Sequence, residues 1–345
     1  MMSLFRDLLG QPLAVSLLTS ALRSGRLAPA YLFQGPEGVG RTLAAERFLE
    51  GIVTGGQEDP RVRRRLRARN HPDLLWVEPT YQVQGRLIPR SRALEEGVSR
   101  RAEPQVRLEQ VRQITAAVAR PPLEAARSLV VLEGAEAMAE AAANALLKTL
   151  EEPGSACLLL ICAAPDQLLS TIRSRCQAIP FRPLDRASFQ AVLDRLPMPD
   201  GDPASDQASG EDADLHRDLL ERMAAGSPGA LLAHRQHWHE LPPELVTGLC
   251  ALGASRSDAL RLAAAVSDAL DVESQLWLVE WWRWWLWTRQ ADPAVQLRLQ
   301  RLQRHLRAYV QPRLAWEVAA LEVAALIRRW PSCSPGAAAA PPRPV

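Results

Sequence analysis

Eight residues, GPEGVGRT (35–42), have the spacing of a phosphate-binding loop. Gly35 and Gly40 stand where such a loop needs backbone free to curl around an anion, and Gly38 adds a third glycine. Thr42 has the hydroxyl that would ligate Mg²⁺. The position that normally holds a phosphate-bridging lysine is Arg41, which is planar and larger and not a neutral replacement. The loop therefore reads as descended from a nucleotide site, without the lysine of an efficient hydrolase. A second stretch, VVLEGAE (130–136), ends in the region where a P-loop ATPase places an acidic pair, one acid for the metal and one for the attacking water. Glu133 takes the first position, one methylene longer than aspartate. The second is Gly134, which can activate nothing, and Glu136 is expected to point elsewhere.

Two further stretches bear on phosphate chemistry. In STIRSRC (170–176), Arg173 and Arg175 sit at a helix end. They read either as surface charges favoured by the helix dipole or as an arginine reaching a neighbour's phosphates. Supplied in trans, such an arginine accelerates hydrolysis by roughly 10³–10⁵. In GSPGA (226–230), Pro228 and Gly229 stand where a lid helix would open with a γ-phosphate-sensing arginine; the nearest one downstream is Arg235.

QLWLVEWWRWWLWTRQ (275–290) raises a different chemistry. Trp277, Trp281, Trp284, Trp285 and Trp287 fall within an arc of roughly 160°, with Trp282, Val279 and Leu286 opposite. A helix apolar nearly all round is buried on more than one side. Its own domain covers one face and a second subunit the other, which makes Trp281 and Trp285 candidate interface residues. Base stacking is the lesser reading, because no cluster of cations interleaves the rings. His234, His237 and His239 read as solvated. No nucleophile–base arrangement and no metal-ligand frame can be argued.

The elements that must position these residues follow from periodicity. AYLFQG (30–35) is a strand ending in the glycine turn, and RTLAAERFLEGIV is the helix after it. RLEQVRQITAAVAR (107–120) is a helix stopped by Pro121-Pro122, RSLVVLEG (127–134) a buried strand, EAMAEAAANALLKTLEEP (136–153) a helix, ACLLLICAAP (156–165) another strand, and QAIPFRPL an edge strand. Continuous apolar strands alternating with helices predict a parallel sheet covered on both faces. Residues 56–104 read as a polar, Arg-rich and irregular excursion, partly helical. Its run RVRRRLRAR has six arginines in nine residues, a solvated helix face or a phosphate-contacting patch. The expected organisation is an α/β core over 1–185, a helical lid over 186–235 with a polar loop at 197–214, an all-α domain over 240–330 and a Pro/Ala tail over 331–345.

Over 345 residues the formal charge is +2, which gives no global bias toward nucleic acid or membrane. Five cysteines without a C-x2-C pair suit a reducing, cytoplasmic setting and leave zinc without ligands. The first twenty residues read as an amphipathic helix, not a signal peptide. The tryptophan run is too short to span a bilayer. All but one of the 41 basic residues are arginine; the exception is Lys148.

Several blocks come in the order of one family: LLGQPLAVSLLTSALRSGRLAPAYLFQGPEGVGRTLAAERF, HPDLLWVEP, RLEQVRQI, AEAMAEAAANALLKTLEEPGSACLLLICAAPDQLLSTIRSRCQ and GSPGA. The chain resembles the delta-prime-type subunits of bacterial DNA polymerase III clamp loaders, which are AAA+ proteins. The likeness is strong over roughly 8–183 and thin beyond the lid. It implies a P-loop NTPase-type parallel sheet domain, a small helical lid and a helical collar. It implies a degenerate nucleotide site at Gly35, Gly38, Gly40, Arg41, Thr42 and Glu133, holding ATP or ADP weakly if at all. It implies that Ser174-Arg175-Cys176 is the clamp-loader signature, with Arg175 a finger for ATP on an adjacent gamma/tau subunit. The implied partners are gamma/tau and delta subunits and, through the complex, the sliding clamp and primed DNA. No independent catalysis is expected. The family's four-cysteine zinc module is missing from 51–75, and QGRLIPRSRALEEG looks like an insertion. An ATPase-active gamma/tau-type subunit is the alternative, and a small-molecule P-loop kinase a remote one.

Overall fold

Short runs of leucine and β-branched side chains such as LVVLE and CLLLIC suit strands buried on both faces. The computed structural model describes residues 4–93, 95–98, 103–196, 211–253, 255–308 and 310–329. The polar loop expected from 197 lies outside these residues up to 210, as does the tail over 331–345.

The chain forms two compact units. The first takes its residues from Met1–Val98, Ala102–Pro197 and Ala225–Ala230, the second mainly from Met198–Ala224 and Leu231–Val345, so the stretch 186–235 is shared between them. The first unit runs α1 (Pro12–Ser24), β1 (Ala30–Gln34), α2 (Arg41–Thr54), α3 (Pro60–Arg67), β2 (Leu74–Val77), β3 (Thr80–Val83), β4 (Arg86–Pro89), α4 (Leu108–Val118), β5 (Leu129–Glu133), α5 (Glu140–Glu151), β6 (Cys157–Cys162), α6 (Ser170–Arg173), β7 (Gln177–Pro180) and α7 (Arg186–Leu193). Five strands make one parallel sheet in the order β2-β5-β6-β1-β7. Alternate residues feed opposite faces. Tyr31, Phe33, Val131 and Leu159 pack with α1 and α2 residues such as Leu18 and Phe48. Leu32, Val130, Leu132 and Leu160 pack with Ile114 of α4 and Leu146 of α5. The expected α/β core is thus present, and the strand order leaves the loop after β1 and the acid ending β5 at the same end of the sheet.

The described residues of 56–104 are more ordered than their composition suggests. Asp59 caps α3, accepting from the amides of Arg61 and Val62, and β2 is the edge strand beyond β5. TYQV and RLIP pair as an antiparallel hairpin, closed by Gln84 and Gly85 with φ of 48° and 80°. Two positive φ values in a two-residue loop are the I′ geometry that matches strand twist. Three of the six clustered arginines are committed to ion pairs: Arg63 to Glu50, Arg65 to Glu124 and Arg69 to Glu78. The N-terminal segment is a turn with Leu4, Phe5 and Leu8 buried, and helix starts only at Pro12. The helix expected over 136–153 is split. Gly134 has φ 62°, a single turn spans Ala135–Ala137, and Met138 and Ala139 are extended before α5 begins. Val106 draws the chain away from helix there, donating to Ala137 O at 2.9 Å.

In the second unit the described residues are helical, with helices Glu211–Ala224, Pro243–Cys250, Arg256–Ala269, Val272–Arg289, Pro293–Arg307 and Pro312–Ile327, together with most of Pro228–Glu240. Its core is tryptophan. Trp238, Trp281, Trp282 and Trp316 are fully buried. His216 lies 4.7 Å from the Trp238 ring and 5.5 Å from Trp281. Trp316 donates to Gln275 Oε1 at 3.0 Å. This corrects the interface assignment. Trp281 is 0 % and Trp285 4 % exposed, enclosed by their own helices, so neither offers surface to a partner. Among the apolar surface that remains is a cleft of about 530 Å³ whose lining includes Trp284, Trp287, Pro293 and Leu297, with Leu297 62 % exposed. Two of the three histidines are corrected too, while His239 is exposed as expected. His234 Nδ1 accepts from Trp277 Nε1 at 3.0 Å, and His237 stacks on the same ring. Burial holds the His234 imidazole below its ordinary value.

Candidate functional site

The loop leaves β1 at Gly35, whose amide donates to Cys162 O of the neighbouring strand at 3.2 Å. Gly35, Gly38 and Gly40 all have positive φ, and Gly40 opens α2. A side chain on Gly38 would meet Gly229 Cα at 2.7 Å, Ala230 N at 2.6 Å and Ser227 Oγ at 2.5 Å. The reason is that the GSPGA turn sits directly on the loop. Ser227 Oγ donates to Glu37 O at 2.6 Å and the Gly229 amide to Gly38 O at 3.1 Å. In a trans peptide the N–H opposes the C=O, so the amides of Gly38 and Val39 point away from that turn. Gly229 thus has a steric role where a sensing arginine was looked for: two glycines back each other.

Beside the loop lies a pocket of about 550 Å³, lined among others by Arg41, Thr42, Glu133, Glu136, Arg69 and Arg90. Arg41 is 8 % exposed, and its buried Nη1 has no hydrogen-bond partner. Burial lowers its pKa, opposed chiefly by the charges of Glu37 and Glu136. Glu136 is a correction, since it faces this pocket. Oε1 accepts from the Ala163 amide at 2.9 Å, while the buried Oε2 has no hydrogen-bond partner. The short turn after Gly134 swings it inward. Burial pushes the adjacent Cys162 thiol up to about 12, with Glu136 adding to the effect.

Glu133 is fully engaged. Oε1 accepts from Thr42 Oγ1 at 3.2 Å and Oε2 from Trp76 Nε1 at 3.0 Å. The Arg69 guanidinium lies 3.7 Å from Oε2, 3.3 Å from Glu78 Oε1 and 4.5 Å above the Trp76 ring. Sequence reasoning named Arg69 only within the run RVRRRLRAR, as a solvated face or a phosphate-contacting patch, and did not single out Trp76, Glu78 or Arg90. Arg69 ends α3 in a Schellman geometry, with Asn70 N bonded to Arg65 O, at a φ of 57° where glycine is usual. A non-glycine residue there costs about 1–2 kcal/mol. The available signal was an arginine directly before Asn70 and HPDLLW, where a helix end would ordinarily carry glycine. A divalent cation of the P-loop kind needs oxygen ligands from Thr42 and Glu133 in near-octahedral geometry. Here those two oxygens bond each other and an arginine already neutralises the carboxylate, so the residues do not fit a resident Mg²⁺.

Ser174, Arg175 and Cys176 are not brought to this pocket. Arg175 is level with the residues before β1, because Gln177 pairs with Tyr31. The loop begins past Gln34, so about 20 Å of parallel strand separates the two. Arg175 donates to Thr171 O at 3.0 Å and to Glu151 Oε1 at 2.7 Å, on an exposed surface. Arg173 pairs with Asp166 at 3.1 Å. Ser174 is exposed; Cys176 is half-buried, and burial pushes its thiol up to about 11.

Comparison with known proteins gives the family. The family described as DNA polymerase III, delta subunit, matches residues 10–185, and that described as cyanobacterial DNA polymerase III delta prime, C-terminal domain, matches 204–323. The delta' subunit of Bacillus subtilis DNA polymerase III is 33% identical over 192 residues, covering 54% of this chain and 51% of that protein. The delta' subunit of Pseudomonas aeruginosa is 36% identical over 219 residues, covering 61% and 56%. The chain thus spans about half the length of these relatives. The Bacillus subtilis tau subunit is 26% identical over 193 residues, 56% of this chain and 31% of that one. With the first match covering residues 10–185, more than half of its length, the chain belongs to the DNA polymerase III delta subunit family.

Proposed function

We propose that this chain is a delta-prime-type subunit of a DNA polymerase III clamp loader, acting as a scaffold and as the donor of Arg175 to ATP held by a neighbouring gamma/tau subunit. The observation that carries the reading is the position of Arg175. It lies at the strand-start edge of the sheet, exposed and remote from its own loop, where it can serve a neighbour's site and not its own. Glu151 holds it at 2.7 Å, keeping the guanidinium at the surface until a phosphate competes for it. The chain's own pocket favours neither Mg²⁺ nor hydrolysis, since Arg41 replaces the lysine, Gly134 the second acid, and Glu133 is engaged by Thr42, Trp76 and Arg69. These features weigh against an ATPase-active gamma/tau-type subunit.

In this reading the partners are gamma/tau and delta subunits, with the sliding clamp and primed DNA reached through the complex. The helical unit is the collar, and the Trp284–Trp287 cleft is the surface it offers to a neighbour. The setting in this reading is the cytoplasm. None of the described helices is long and apolar enough to cross a membrane. The test is to mix the full chain with gamma/tau and delta subunits. A defined complex in size-exclusion chromatography, together with no ATP turnover by the chain alone, supports the reading. Failure to assemble, or turnover typical of an ATPase, overturns it.

A further inference from the structure

The pocket holds a cation of its own. Thr42 and Glu133, the two residues that would share a divalent cation in a hydrolytic loop, are joined directly at 3.2 Å. The Arg69 guanidinium stands at the remaining oxygen of Glu133, and Trp76 donates to that oxygen and lies beneath the guanidinium. Arg69 reaches this place from a left-handed helix end that would ordinarily be glycine, so its side chain and not its backbone explains its presence. Glu78 fixes the guanidinium from the other side at 3.3 Å and also accepts from the Ser91 amide and hydroxyl.

We propose that the Arg69 guanidinium is a tethered substitute for the divalent cation, a positioning residue that holds Glu133 and Thr42, and with them the start of α2, without metal or nucleotide. The phosphate loop then keeps its shape in every stage of the neighbour's ATP cycle. Its docking on the GSPGA turn, through Ser227 and Gly229, does not depend on a bound ligand. The inference rests on reading this loop as non-hydrolytic, and deepens it by naming what took the metal's place.

The test is amide hydrogen exchange of the full-length chain, read on peptides covering 35–45, with and without millimolar Mg²⁺. Wild type should be protected equally in both. Arg69→Ala should exchange about tenfold faster there in chelator, from the loss of the positive charge 3.7 Å from Glu133. Added Mg²⁺ should restore most of that protection, because the freed Thr42 and Glu133 oxygens then accept the ion. Arg69→Lys, which keeps the charge but loses the planar stack on Trp76 and the fork between Glu78 and Glu133, should fall between wild type and Arg69→Ala. Wild-type protection that rises with Mg²⁺, an Arg69→Ala loop protected as in wild type, or a loss that Mg²⁺ does not restore would each overturn the proposal. If Arg69→Ala opens the whole α/β unit, Arg69→Gln read on the same peptides carries the test. ATP turnover by wild type would defeat the non-hydrolytic reading, whereas a loss that metal does not rescue defeats only the substitution by Arg69.

Discussion

Replacing Gly38 by alanine should destabilise the α/β unit far more than the same change at Gly85. Both glycines are left-handed, with φ of 74° and 80°. A Cβ at Gly85 meets nothing within 4 Å, whereas at Gly38 it meets Ser227, Gly229 and Ala230 at 2.5–2.7 Å. The backbone term is about 1–2 kcal/mol in each. Overpacking against the main chain of a docked turn adds about 1–3 kcal/mol at Gly38 alone. The difference is therefore about 1–3 kcal/mol, or roughly 5–150-fold in the opening equilibrium. Native-state exchange of the slowest amides in β1 and β6 reads it directly. Peptides spanning 226–230 should lose protection in Gly38→Ala and keep it in Gly85→Ala. Equal costs in the two variants, with 226–230 undisturbed, would refute the claim that the loop survives as a packing surface for that turn.

Trp281→Ala should unfold or loosen the helical unit at a cost of about 3–5 kcal/mol, seen as lost far-UV circular dichroism cooperativity, whereas Trp284→Ser with Trp287→Ser should leave that signal intact and weaken complex formation in size-exclusion chromatography. Stability should fall on mild acidification through His71. Burial holds this imidazole low, with Arg65 adding to the effect. The unfolded ring takes its proton near pH 6.5 (about the ordinary value), so the contribution is complete above that pH and is lost as the pH drops toward the folded value. His71→Gln should flatten the thermal midpoint over this range. At lower pH the same logic applies to Asp73. Burial alone would raise its carboxyl, but the amides of Leu123, Ala125 and Glu124 overcome this and hold it low. Its contribution is present above the ordinary carboxylate range and is lost as the pH falls through the depressed value. Asp73→Asn should therefore remove part of the acid transition.

The α/β core was legible because its signals are local. AYLFQG running into glycine and helix, and apolar runs too long to be exposed, fix strands and crossover helices with no long-range information. What was missed depends on contacts distant in sequence. β2 exists because LLWV finds β5, some fifty residues on. The hairpin 80–89 was hidden by arginine and proline around a Gln-Gly turn, where Asn-Gly would have announced it. Glu136 was misplaced because a helical pattern continued through Ala135–Ala139, which two backbone bonds with Val106 break. The tryptophan helix was read correctly as apolar all round, but periodicity cannot tell a partner subunit from the helices Pro228–Glu240 and Pro312–Ile327 of the same unit. Arg69 lay in a basic run whose composition suggested solvent.

The most direct test of the account is ATP hydrolysis by the assembled complex with wild-type or Arg175→Ala chain, in a mixture where a gamma/tau subunit supplies the hydrolysing loop. Arg175 is exposed and paired only at the surface, so the variant should fold and assemble as wild type does. Hydrolysis at the adjoining site should fall by about 10³-fold, the low end of what a trans arginine contributes. A complex that forms with the variant and hydrolyses ATP at the wild-type rate would contradict the account.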